Sequence, residues 1–103
     1  MHKRKAGEQN NQDGWSGFMS LCKALNELDE PQDFFDLYFT PKEREDLASR
    51  YLIVRELLKN QLNQRDMAEE LDVSIAKITR GSNELKSCSP TLLTFIRKHA
   101  IDI

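Results

Sequence analysis

The stretch from Gln64 to Lys86 constrains this chain more than any other. Apolar residues fall at Met67, Ala68 and Leu71, then at Ile75, Ile78 and Leu85, with Asp72-Val73-Ser74 between the two groups. That spacing predicts a helix over Gln64–Leu71, a tight turn, and a second helix over Ile75–Lys86, which together make a helix-turn-helix. Val73 plugs the corner, Ser74 caps the second helix, and Ala68 is small enough for a close crossing. Asp72 occupies the place where such a turn favours positive φ, which Asp tolerates better than most residues. The second helix then carries Ile78-Thr79-Arg80-Gly81-Ser82-Asn83. A glycine inside a helix costs about 1 kcal/mol relative to alanine. Gly81 therefore calls for a reason, such as the close approach of a ligand or of another backbone.

Helical periodicity runs through almost the whole chain, and no segment alternates as a half-buried strand would. The expected class is all-α, with about six helices. The first covers roughly residues 14–28, where Trp15, Phe18, Leu21, Cys22, Leu25 and Leu28 recur at three and four residues. A short second helix starts at Pro31 and reaches about Tyr38; its Phe34, Phe35, Leu37, Tyr38 and the following Phe39 are apolar nearly all round. So aromatic a segment is expected to pack between neighbouring helices or between chains. Thr40-Pro41-Lys42-Glu43 is a helix start, with Thr40 as N-cap, Pro41 in the first position and Glu43 closing a capping box. That helix runs to about Lys59, with Leu47, Tyr51, Leu52, Val54, Leu57 and Leu58 inward and Asn60 as its C-cap. Ser89-Pro90 begins the last helix.

With 103 residues the chain is one domain at most. Residues 1–13 are polar, include Lys3, Arg4 and Lys5, and read as a disordered basic arm able to touch phosphate; residues 14–103 read as the folded domain. No apolar run suits a membrane span or a signal peptide, so a cytoplasmic protein is expected. Cys22 and Cys88 lie far apart without metal-ligand spacing, as suits a reducing compartment. Neither His2 nor His99 stands near a catalytic partner, and no phosphate loop, paired catalytic carboxylate or nucleophile elbow is present, so no enzyme is expected.

Net charge is −2, but its distribution matters more than its sum. Glu27, Asp29, Glu30, Asp33 and Asp36 form an acidic run, whereas from Val73 to Asn83 the only charges are Lys77 and Arg80. An acid-free reading helix is compatible with a phosphate-rich partner.

These residues resemble a known family. Thr40-Pro41 with Glu43-Arg44-Glu45, Arg50, Ile53-Val54, Glu56-Leu57-Leu58, Gln64-Arg65, and Ile78 through Asn83 followed by Leu85-Lys86 are similar to the bacterial Trp repressors. The similarity is densest from Thr40 to Lys86 and extends more weakly to Trp15. It implies an intertwined all-helical homodimer that binds L-tryptophan as corepressor, then a palindromic double-stranded DNA operator of tryptophan synthesis or uptake genes. The family is itself a standard example of paired reading heads in successive major grooves and of water-mediated base contacts.

The resemblance also implies roles for single residues. Arg50 and Arg80 match the pair that sandwiches the indole. Arg80 also matches the carboxylate partner, helped by Thr40 of the other chain. Gly81 leaves room for the ring, and the carbonyls of Leu37 and Phe39 match acceptors for the ligand ammonium. Gln64, Arg65, Ser74, Ile75, Ala76, Lys77 and Thr79 match the DNA-facing positions. Three departures stand out: Glu84 replaces a serine facing the ammonium, Ala68 a lysine, and Lys77 a threonine. Glu84 either pairs with the ammonium or turns outward. A regulator of the same fold with another indole or amine, or with no ligand, therefore stays open, as does a helical protein-interaction module.

Overall fold

The computed structural model describes residues 6–101. Within them six α-helices follow one another with no strand: α1 (Ala6–Lys23), α2 (Gln32–Tyr38), α3 (Pro41–Lys59), α4 (Gln64–Leu71), α5 (Ile75–Lys86) and α6 (Pro90–Ile96). A 3₁₀ turn, Leu25–Glu27, follows α1, and a π-helical turn, Arg97–Ile101, follows α6. Two compact units divide the chain between Tyr38 and Phe39.

The first unit differs from the sequence expectation at both ends of its main helix. Helix α1 begins at Ala6, inside the stretch read as a disordered arm, so residues 6–13 are helical. Ala6, Glu8, Gln9 and Gln12 cost little in a helix while Gly7, Asn10, Asn11 and Asp13 cost more, and a short extension of a formed helix needs no new nucleus. Residues 1–5, with the three basic side chains, lie outside the described residues. At its other end α1 stops at Lys23 and tightens into the 3₁₀ turn, after which Leu28 is extended. Leu25 and Leu28 thus leave the α-helical stripe expected to include them. Aromatic contacts hold α1 to α2: Phe18 stacks on Phe34 with ring centroids 5.6 Å apart and meets Tyr38 edge-on at 5.6 Å.

In the second unit the local signals set the boundaries. Thr40 Oγ1 accepts from the Glu43 N–H at 3.1 Å, and Glu43 Oε1 accepts from the Thr40 N–H at 2.9 Å, completing the capping box of α3. Asn60 ends that helix in the left-handed conformation with φ 54°. Asn63 caps α4 by accepting from the Asp66 N–H at 2.8 Å. Asp72 closes α4 with φ 55°, the positive value the turn demands. Ser74 and Ser89 cap α5 and α6 by accepting from the N–H groups of Lys77 and Leu92.

Helix α3 packs against α4, α5 and the closing turn, and α4 crosses α5. The core where they meet is Ile53, Met67 and Ile78, with Leu57, Leu62, Ala68, Leu71 and Val73 around it. Three inward assignments are not met within the single chain. Leu47 and Tyr51 of α3 are about half exposed, while Ile53 and Glu56 take the buried positions. Ile75, expected on the core side, is also exposed, so α5 is buried only from Ile78 onward. The buried Glu56 carboxylate is compensated by Arg55 Nε at 3.2 Å and Lys59 Nζ at 3.7 Å.

Gly81 explains how α5 lies so near α3. A Cβ built there would stand 2.9 Å from Ile53 Cγ2 and 3.6 Å from Leu57 Cδ1. The first contact is too short, and a β-branched methyl close to its own backbone yields little. Gly81→Ala is expected to lower stability by about 1–2 kcal/mol, overpacking at the crossing outweighing the gain in helix propensity. Denaturant unfolding of Gly81→Ala, alone and combined with Ile53→Ala, checks this. The second change removes the clashing methyl, so the alanine penalty should vanish in that background.

Candidate ligand cavity and DNA-reading face

A cavity of about 500 Å³ opens between α3 and α5, within the about 300–1,000 Å³ usual for small-ligand sites. One row of α3 lines it with Lys42, Asp46 and Arg50, which are spaced four apart and so share a helix face. From α5 come Lys77, Arg80 and Glu84. Ile53, Val54, Leu85 and Ile96 supply an apolar floor, and Gly81 lies on the wall.

The structure therefore brings Arg50, Arg80, Gly81 and Glu84 together in one cavity, as candidate ligand residues require. Gly81 lines the cavity, and its missing Cβ would point at Ile53, so its smallness also serves the helix crossing. Thr40 and Phe39 do not line the cavity; Thr40 is the cap of α3 and Phe39 is half-buried beside it. Leu37 belongs to the other compact unit and is 77% exposed.

Lys42, Asp46 and Cys88 line the cavity but were absent from the sequence-based set. For the first two a signal existed: they continue the i, i+4 row that ends at Arg50. Lys42 Nζ donates to Asp46 Oδ1 at 2.7 Å. This bond is the main reason the Asp46 carboxyl is held below its ordinary value; desolvation opposes it, and the charges of Lys42, Lys77 and Arg50 reinforce it. The same bond raises Lys42.

The candidate DNA residues group at the other side of the bihelical unit. Gln64 and Arg65 open α4 and are exposed, as are Ser74, Ile75, Ala76, Lys77 and Thr79 at the start of α5. Thr79 Oγ1 donates to Gln64 Oε1 at 3.4 Å, linking the two helices at this face. Lys77 belongs to both groups, because it also lines the cavity.

Comparison with known proteins places the sequence in a family. Residues 13–100 match the family described as Trp repressor protein. This chain belongs to the Trp repressor family. It is 46% identical over 90 residues to a Trp operon repressor homolog of Chlamydia caviae, covering 87% of this chain and 89% of that protein. It is 47% identical over 85 residues to the homolog of Chlamydia trachomatis serovar D, covering 82% and 90%. Against the Vibrio vulnificus (strain YJ016) homolog, identity is 49% over 72 residues, covering 70% and 71%. The chain is thus a transcriptional regulator of the Trp repressor type. Among the described residues no helix is long and apolar enough to cross a membrane.

The pair on α3 has a definite pH signature. Asp46, depressed in the folded chain, adds stability above its unfolded value and loses it as pH falls through the lower folded value. Lys42, raised, adds stability below its unfolded value and loses it as pH rises through the folded one. An NMR titration should place the Asp46 midpoint below 3.8. In Lys42→Met the midpoint should move back up; no movement would mean that the Lys42 bond does not set it.

Proposed function

We propose that the chain is a tryptophan-responsive repressor. It binds L-tryptophan in the α3–α5 cavity and then a palindromic operator of tryptophan synthesis or uptake genes, as a cytoplasmic homodimer. The observation that carries this reading is that one wall of the cavity is the reading helix itself. Arg50 from α3 and Arg80 from α5 face one cavity, and guanidinium groups stack on aromatic faces while pairing with carboxylates. A ring seated between them acts as a wedge that fixes the angle of α5. Ligand that binds better to that angle shifts the population towards the DNA-competent form.

Glu84 fits the ammonium end of the ligand, since a carboxylate on the wall offers a stronger partner than a hydroxyl. Thr40 keeps its role as a donor from the partner chain: its oxygen accepts from the Glu43 N–H, which leaves the hydroxyl hydrogen free to meet a carboxylate. The carbonyls of Leu37 and Phe39 serve the ammonium in the assembled dimer.

Dimer formation is supported by what a single chain leaves in solvent. Trp15 is 64%, Leu37 77% and Phe95 59% exposed, and Leu92, Leu47 and Tyr51 are close to half exposed. So many large apolar side chains on a small protein mark an association surface. At the DNA, Arg65 and Lys77 supply charge, Gln64 and Thr79 hydrogen bonds, and the exposed Ile75 and Ala76 apolar contact of the kind a thymine methyl accepts. Ser74 offers its backbone and hydroxyl at the helix start, where anions bind well.

Calorimetric titration with L-tryptophan should give saturable binding at one site per chain. Arg80→Ala removes a stacking face and a carboxylate partner together, so at least about a hundredfold loss of affinity is expected. Unchanged affinity in that variant would sink the pocket assignment. Operator affinity, measured with and without tryptophan, should fall steeply as salt rises; a salt-independent interaction would instead favour a protein-binding role.

A further inference from the structure

Lys77 falls among the expected DNA-facing positions of α5, and the structure gives it a second neighbourhood. Lys77, Gly81 and Glu84 are spaced by four and three along α5, and all three line the α3–α5 cavity. Arg80, three residues beyond Lys77, lines it too, and residues three apart on a helix are surface neighbours. Their charges are not equally available. On the α3 wall, Lys42 is committed to Asp46 at 2.7 Å. Among the described residues no carboxylate forms an ion pair with Lys77, whose side chain is exposed at the cavity edge. The wall carries four cations, Lys42, Arg50, Lys77 and Arg80, against two acids, Asp46 and Glu84. The cavity therefore carries surplus positive charge on its α5 side.

We infer that Lys77 is a specificity-determining ligand contact, which joins Arg80 in a two-cation seat for the carboxylate of the bound amino acid. This rests on the corepressor reading of the same cavity. A zwitterion matches the seat: its ammonium goes to Glu84 and its carboxylate to Lys77 and Arg80. Asp46 sits across from Lys77 and competes with that carboxylate for its charge, which tempers affinity. Lys77 is the third residue of α5 and lies among the DNA-facing positions Ser74 to Thr79. Binding at the seat therefore pins the first turn of the reading helix directly, in addition to wedging the helix as a whole. The amide of the same amino acid, which lacks the negative charge, is therefore a poorer ligand at this seat.

The test compares L-tryptophan with L-tryptophanamide by calorimetry on the full chain, in the unmodified protein, Lys77→Met, Lys77→Arg and Asp46→Asn. Lys77 is exposed, so its replacement leaves the fold intact. Lys77→Met is expected to lose about tenfold in affinity for L-tryptophan, the loss of one charge-assisted hydrogen bond, while its affinity for the amide stays unchanged. Lys77→Arg should recover most of the loss, and Asp46→Asn should bind L-tryptophan several-fold more tightly, since a competing anion is gone. Equal L-tryptophan affinity in Lys77→Met and the unmodified protein would overturn the inference and leave the corepressor reading standing. An equal loss for both ligands would also overturn it, since the carboxylate would then not be what Lys77 recognises. Binding of neither ligand by the unmodified protein would overturn the corepressor reading and this inference together.

Discussion

The contact between Gly81 and Ile53 sets the geometry on which the rest of the second unit depends. With no side chain at residue 81, the α5 backbone settles onto the Ile53 methyl, and only 2.9 Å separates that methyl from where a Cβ would stand. A wider crossing would separate the α3 row of Lys42, Asp46 and Arg50 from the α5 row of Lys77, Arg80 and Glu84. These rows form a cavity because they are close enough to be bridged by one small molecule. The crossing also decides which way α5 faces. Ile78 is driven into the core at 0% exposure, which leaves Ile75, Ala76 and Thr79 directed outward. One packing contact thus sets both the α5 wall of the cavity and the outward face of that helix.

Electrostatics follow the same division. The chain is net negative, with a dense run of acids from Glu27 to Asp36, yet α5 up to Asn83 carries no acid at all. Charge is sorted by element, which allows an acidic protein to present a surface suited to a polyanion. Inside the cavity the balance is different again. The wall mixes acids and bases, as suits a zwitterion better than a simple anion. Glu84 is the residue that most separates this wall from the serine-bearing pattern its sequence otherwise resembles.

Much of the second unit was legible in the sequence, because its signals are local. Thr40 with Glu43, Asn60, Asp72, Ser74 and Ser89 each act within four residues of where they stand, and each does what its type suggests. The ends of α1 were harder. A polar start resembles a loose arm until the helix that it extends is known. The inward face of α3 was misjudged for a different reason. Its apolar residues nearly encircle the helix, and which of them are covered depends on where α4, α5 and the closing turn come to rest. Ile53 and Leu47 are alike in composition and unlike in burial, and only tertiary contact separates them. The cavity was half legible. Arg50, Arg80, Gly81 and Glu84 were reached through the family pattern, whereas Lys42 and Asp46 needed the facing helix to show what their row encloses.

The hydrogen bond from Thr79 to Gln64 joins the first residue of α4 to the middle of α5 across the turn. With one lone pair of its carbonyl oxygen engaged, the Gln64 amide keeps its NH₂ group as a donor for acceptors such as phosphate oxygens or purine N7. Two residues fifteen positions apart in the chain are thereby joined as one hydrogen-bonded pair. A change at either alters what the other can hydrogen-bond. Under the proposed DNA role, a change of base preference at one of these two positions is expected to bring a change at the other, so this chain's recognition alters in linked steps.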